Sequence, residues 1–137
     1  MKAVYFGEAA QAQTEAKVTG VGGFFFKSED PKALREWYKQ HLGMDINDYG
    51  CTFTWKDDNG NDAATQWSPF GEDTKYFEPS QKQFMQNFRV QNFDALITRL
   101  KAAGVTLVGE PESYDYGKFG WILDPEGNKI ELWEAIG

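Results

Sequence analysis

The sequence predicts an α+β fold made of two tandem βαβββ modules. Three observations carry this: a run of residues that recurs about 66 positions later, two amphipathic helical stretches each preceded by a strand-like segment, and a strong hairpin turn near the end of each copy. The recurrence pairs Trp55 with Trp121, Asp58 with Asp124 and Trp67 with Trp133, all at an offset of 66. It follows the related runs Asp48–Trp55 and Asp115–Trp121, the first with one residue inserted.

Taken in chain order, residues 1–17 lie outside the repeat, and their Ala/Gln/Glu composition reads as an arm. Gly22–Lys27, with Phe24, Phe25 and Phe26, has strand length and aromatic content. Asp30-Pro31 is a helix start, with a capping carboxylate followed by proline at the first helical position. Leu34, Trp37, Tyr38, His41 and Leu42 then recur at helical spacing until Gly43 closes the helix. In the second copy, Phe84–Val90 alternates apolar and polar residues as a half-buried strand does. Asn92 precedes a helix carrying Leu96, Ile97 and Leu100, which Gly104 ends. Asp57-Asp58-Asn59-Gly60 and Asp124-Pro125-Glu126-Gly127-Asn128 are the hairpin turns. Module 1 is thus expected over about 18–75 and module 2 over about 82–136, within one domain of residues 18–137.

Composition narrows the function. With 21 Asp+Glu against 14 Lys+Arg, a net charge of −7 argues against nucleic acid or anionic membrane as partner. One Cys precludes an intrachain disulfide, and one His precludes any site needing several His ligands. No apolar stretch has transmembrane length, and the run Ala3–Phe6 is too short for a signal-peptide core, so a cytoplasmic location is expected. His41, just before the helix cap, reads as a packing residue at the helix C-terminus. Cys51 has no His in its own motif, and the Asp57/Asp58/Asp62 cluster reads as a polar turn rather than a Ca²⁺ loop. Gly20–Gly23 lacks the spacing of a phosphate-binding loop.

The segment 120–134 (Gly-Trp-Ile-Leu-Asp-Pro-Glu-Gly-Asn-Lys-Ile-Glu-Leu-Trp-Glu) and Trp-Tyr-x-x-x-Leu-Gly at 37–43 resemble the vicinal oxygen chelate superfamily, which includes glyoxalase I, bleomycin-resistance proteins and extradiol dioxygenases. The resemblance spans about residues 18–136 and is greatest to small, single-domain glyoxalase-like proteins. It implies a curved, cup-shaped mixed sheet with helices on the convex side, a ligand in the concave face, and a homodimer. It also implies divalent-metal ligands on the first and last strands. Those positions fall on Glu131, on Thr65 (or Gln66 with a one-residue slip), and near Gly23 and Met85, so Glu131 is the one family ligand retained. The residues therefore predict a cup without a cofactor, with a divalent ion as the alternative.

Strand alternation assigns the cup lining. Glu131 and Trp133 share one face of their strand, and Met85, Asn87 and Arg89 share one face of theirs. The repeat places Thr65, Trp67 and Phe25 likewise, and Trp55, Trp121 and Phe119 are added as aromatic wall, with Tyr114–Gly117 as a lip. The expected function is binding of a small aromatic or cationic molecule by stacking, cation–π contact and Glu131. Three other readings compete. One is an enzyme of the superfamily, a lyase/isomerase or dioxygenase type, either metal-dependent or using Glu131 as acid/base. Another is a structural module. In the third, the rings are mere filling and Glu131 pairs with Arg89.

Overall fold

The computed structural model describes residues 15–136. The expected N-terminal arm falls, over residues 1–14, outside the described residues. Strand β1 (Lys17–Ser28) is followed by helix α1 (Pro31–Leu42), then β2 (Cys51–Lys56) and β3 (Asp62–Gly71). The second half holds β4 (Phe84–Gln91), helix α2 (Phe93–Ala102), β5 (Glu112–Tyr114), β6 (Gly117–Leu123) and β7 (Lys129–Ala135). All seven strands form one mixed sheet in the order β2-β3-β1-β4-β7-β6-β5. Among the described residues no helix is long and apolar enough to cross a membrane.

Local chemistry starts and stops the helices. The Asp30 side chain accepts the Ala33 N–H, Pro31 opens α1, and Gly43 closes it in the left-handed conformation at φ 68°. Helix α2 is capped differently. Asn92 makes no side-chain cap bond; the Glu134 carboxylate on β7 accepts the N–H groups of Asn92 and Phe93, each at 3.0 Å. The anion expected at the helix start thus comes from a distant strand.

The modules join where β1 runs antiparallel to β4. Gly23 faces Asn87, Phe24 faces Gln86 and Phe25 faces Met85, so a pseudo-two-fold axis passes through the Phe24/Gln86 pair. Residues 62 apart exchange across it, matching the spacing of the helix starts at Pro31 and Phe93. Module 1 has two strands after its helix, not three. Residues 43–50 form no strand, and there Asn47 organises a tight turn by accepting the N–H groups of Tyr49 (2.8 Å) and Gly50 (2.9 Å).

Both helices lie on one face of the sheet. The cross-strand row Trp67–Phe24–Gln86–Ile130–Ile122 belongs to that face, with the Tyr38 ring of α1 4.5 Å from that of Trp67. Phe93, Leu96 and Ile97 of α2 form a buried core with Val90 and Leu132. A second, smaller core lies on the opposite face, where Phe77 from the inter-module linker covers Phe25 and Met85. That linker, residues 72–83, lays Phe77 on this core and brings Tyr76 to Glu131.

Candidate functional site

One row on the helix-free face sets the chemistry. Reading across the sheet, Thr52, Gln66, Gly23, Asn87, Glu131 and Trp121 are successive cross-strand partners. Glu131 is 4% exposed, and both carboxylate oxygens are occupied by donors. Asn87 Nδ2 donates to Oε1 at 2.5 Å, while Trp121 Nε1 (2.8 Å) and the Tyr76 hydroxyl donate to Oε2. A buried carboxylate must be hydrogen-bonded or paired, and here three neutral groups do that work. Among the described residues no Lys or Arg forms an ion pair with it. Lys129, two positions along the strand, instead donates to the Tyr76 carbonyl at 2.6 Å and sits 5.2 Å from the Tyr76 ring. Burial holds the Lys129 ammonium below its ordinary pKa, with Glu131 and Glu78 pulling it back up. Burial and the Glu131 charge push the Tyr76 phenol well above its ordinary value, so it stays a donor to Glu131 at neutral pH.

In front of Glu131 opens a cleft of about 390 Å³, walled by Phe25, Phe70 and Tyr76 with Asn47, Tyr49, Gln66 and Ser68 around it. The Phe70 and Tyr76 rings are parallel, 6° apart in plane with centroids at 5.8 Å, and Tyr76 meets Trp121 edge-on.

Several residues picked from the sequence meet here. Phe25 and Glu131 line the cleft, and Asn87 and Trp121 hold Glu131 from behind and from the side. Met85 shares their face but is 0% exposed beneath Phe77, so it is core. Arg89 does not pair with Glu131: its guanidinium lies 5.0 Å from the Trp133 ring, and Trp133 stacks on Phe119, one row further along the sheet and outside this cleft. Tyr114 and Tyr116 stack at the same end.

Trp67 of module 1 is on the other face, and Trp55 lies outside the cleft. Trp67 packs on Tyr38 and Phe26, and Trp55 donates to Thr65 while its ring covers Gly20. The physical reason is register. Asp57 and Asp124 organise their turns through identical bonds, accepting from Asn59 and Asn61, and from Glu126 and Asn128. The turns are therefore equivalent at an offset of 67, and an alignment at 66 turns every side chain of β3 to the wrong face. The cup-facing residues of β3 are Gln66 and Ser68. By pairing to the central strands, Ser68 (beside Phe25) is the counterpart of Glu131 (beside Asn87).

Sequence reasoning missed Asn47, Tyr49, Ser68, Phe70 and Tyr76. A usable signal existed for Tyr76: Tyr76-Phe77 is an aromatic pair inside an otherwise polar linker.

Of the metal positions implied by the resemblance, Glu131, Gly23 and Gln66 share one cross-strand row on the helix-free face, where Asn87 stands on β4 while Met85 is buried under Phe77. That donor set holds one carboxylate, two amides and a glycine. Among the described residues no group of three or more His, Cys, Asp or Glu converges anywhere. Such donors do not fit a tightly held Zn²⁺, Ni²⁺ or Fe²⁺.

The Glyoxalase/Bleomycin resistance protein/Dioxygenase superfamily profile matches residues 24–132. No curated protein matches the sequence. Among solved structures, methylmalonyl-CoA epimerase from Mycobacterium tuberculosis is 25% identical with a TM-score of 0.58, covering 88% of this chain and 90% of its own. A variant of the Streptomyces coelicolor methylmalonyl-CoA epimerase in complex with 2-nitronate-propionyl-CoA is 16% identical with a TM-score of 0.65, covering 88% and 100%. A superfamily member from Vibrio splendidus 12B01 is 15% identical with a TM-score of 0.52, covering 83% and 97%.

Proposed function

We propose that this chain, which belongs to the Glyoxalase/Bleomycin resistance protein/Dioxygenase superfamily, binds a small planar molecule, aromatic or cationic, in the cleft before Glu131 and without the family's metal centre. One observation carries the reading: a buried carboxylate, neutralised by no ion pair among the described residues, forms the floor of an aromatic-walled cleft. Three neutral donors stabilise the charge without cancelling it, so the field in the cleft favours a positive or donor-rich group. Phe70 and Tyr76 supply faces for stacking and cation–π contact. The cleft volume lies within the range of small-ligand sites. The solved epimerase that holds 2-nitronate-propionyl-CoA shares the fold with this chain, and its ligand says nothing specific about this cleft.

Calorimetric titration with benzamidine and with benzoate tests the proposal. The two probes have similar size and opposite charge. Benzamidine should bind at least about tenfold more tightly, the discrimination expected when a charge-assisted hydrogen bond is exchanged for repulsion. Glu131→Gln should remove that preference. Equal binding of both probes, or stoichiometric Zn, Ni, Mn or Fe that is lost in Glu131→Ala, contradicts it.

A further inference from the structure

The wall opposite Glu131 carries a hydrogen-bond relay with an unused end. Thr52 Oγ1 donates to Gln66 Oε1 at 2.5 Å, and Gln66 Nε2 donates to Ser68 Oγ at 3.1 Å. The short distance suits O–H···O and the longer one N–H···O, which fixes the amide orientation of Gln66. Ser68 Oγ is thereby an acceptor within the relay, and its own proton has still to be placed. Ser68 is 7% exposed, and no hydrogen bond from it to a described residue exists. A hydroxyl so buried ordinarily finds an acceptor, and the space it faces is the cleft.

A second donor borders the same cleft. Asn47 Oδ1 is locked by the N–H groups of Tyr49 and Gly50, its Nδ2 is bonded to no described residue, and Asn47, an exposed residue, lines the same cleft. Gly50, at the end of the Asn47 turn, packs against β3 at Ser68. A Cβ at Gly50 would lie 1.8 Å from the Trp67 carbonyl oxygen and 3.0 Å from Ser68 Oγ, so a side chain there would break the approach of turn to strand.

We infer that Ser68 and Asn47 form a two-donor seat for a carbonyl oxygen, and that the ligand is a planar aromatic carboxamide or lactam whose N–H edge is turned to Glu131. The inference rests on the binding role proposed for this cleft and adds a polarity to it. Donors line the module 1 wall and an acceptor lines the module 2 wall, so a ligand bearing C=O on one edge and N–H on the other satisfies both. A simple hydrocarbon cation satisfies only Glu131.

Benzamide and benzamidine separate the two claims. They match in shape, but the benzamidinium group has N–H donors and no acceptor. Both are titrated by calorimetry into the wild-type chain, Ser68→Ala and Asn47→Asp. The Asp carboxylate retains the acceptor for Tyr49 and Gly50 and so keeps the turn, while losing the Nδ2 donor. Benzamide affinity should fall about 3- to 10-fold in each variant, the span of one neutral hydrogen bond, and benzamidine affinity should not fall by more than about twofold. Unchanged benzamide binding in both variants, or equal losses for the two probes, overturns the seat while leaving the cleft's binding role standing. If neither probe binds the wild-type chain, the binding role falls and the seat falls with it.

Discussion

Strands β3 and β7 hold matching places on either side of the pseudo-two-fold axis, yet Ser68 stands where Glu131 does. The helices diverge in the same way. Helix α2 buries Phe93, Leu96 and Ile97, whereas α1 buries none of its residues and leaves Trp37 51% exposed. A repeated backbone has been used twice for different ends. Module 2 carries the larger core and the charge; module 1 supplies a neutral, donor-bearing wall and a helix resting on rings. The asymmetry makes the cleft polar from one side to the other.

The largest effect that tests this contrast is in the helices. Leu96→Ala should cost about 2–4 kcal/mol of unfolding free energy, the usual loss for an emptied core site. Leu34→Ala, at a half-buried position of α1, should cost less than about 1 kcal/mol. Urea denaturation followed by circular dichroism measures both; equal losses would mean that α1 is anchored as firmly as α2.

The two strand positions should differ less. Glu131→Leu strands the Asn87, Trp121 and Tyr76 donors and should cost about 1–3 kcal/mol, while Ser68→Ala should stay under about 1 kcal/mol because Gln66 can turn to water in the cleft. The same denaturation series checks it, and a Glu131→Leu chain as stable as wild type would show that the buried carboxylate is costly enough to offset its hydrogen bonds.

A smaller, pH-dependent effect isolates Tyr76. Its phenol is held above the ordinary value of 10.0, by burial first and then by Glu131. An unfolded tyrosine releases its proton near pH 10 while the folded one keeps it, so the folded state binds more protons there. Stability therefore falls as pH rises above about 10. Lys129 acts in the opposite sense, since its ammonium is held low by burial and the cost is relieved as pH rises. Tyr76→Phe removes the first effect and keeps the ring, so the wild-type Tm should drop more steeply than the variant's between about pH 9 and 11. Parallel profiles would separate Tyr76 from Glu131.

How much of this was legible in the sequence follows from the same contrast. Module 2 could be read almost residue by residue, because its last strand is short, begins at the Asp124 turn and alternates cleanly, so Glu131 and Trp133 were assigned to one face. Module 1 hides its register. Matching tryptophans suggested 66, but the turns repeat at 67 and the strands pair with the central sheet at 63. The β2–β3 hairpin is slid four residues along the sheet, an even number that keeps the faces the turns dictate. An even offset between odd ones reverses them, which is why Trp67 is expected in the cup and lies on the opposite face. Tyr76 and Asn47 were hidden for another reason. They belong to a linker and a turn, whose positions depend on tertiary contacts that no periodicity encodes.

Ligands are proposed to meet Glu131 on the helix-free face, beside Trp121 and away from Trp55 and Trp67. The indole N–H resonances in a ¹H–¹⁵N NMR titration with benzamidine test it directly, because Trp121 Nε1 donates to Glu131 at 2.8 Å while Trp55 Nε1 is bonded to Thr65, outside the cleft. The prediction is a saturable shift of the Trp121 resonance with Trp55 and Trp67 unmoved. Movement of Trp55 or Trp67 with Trp121 still would contradict it.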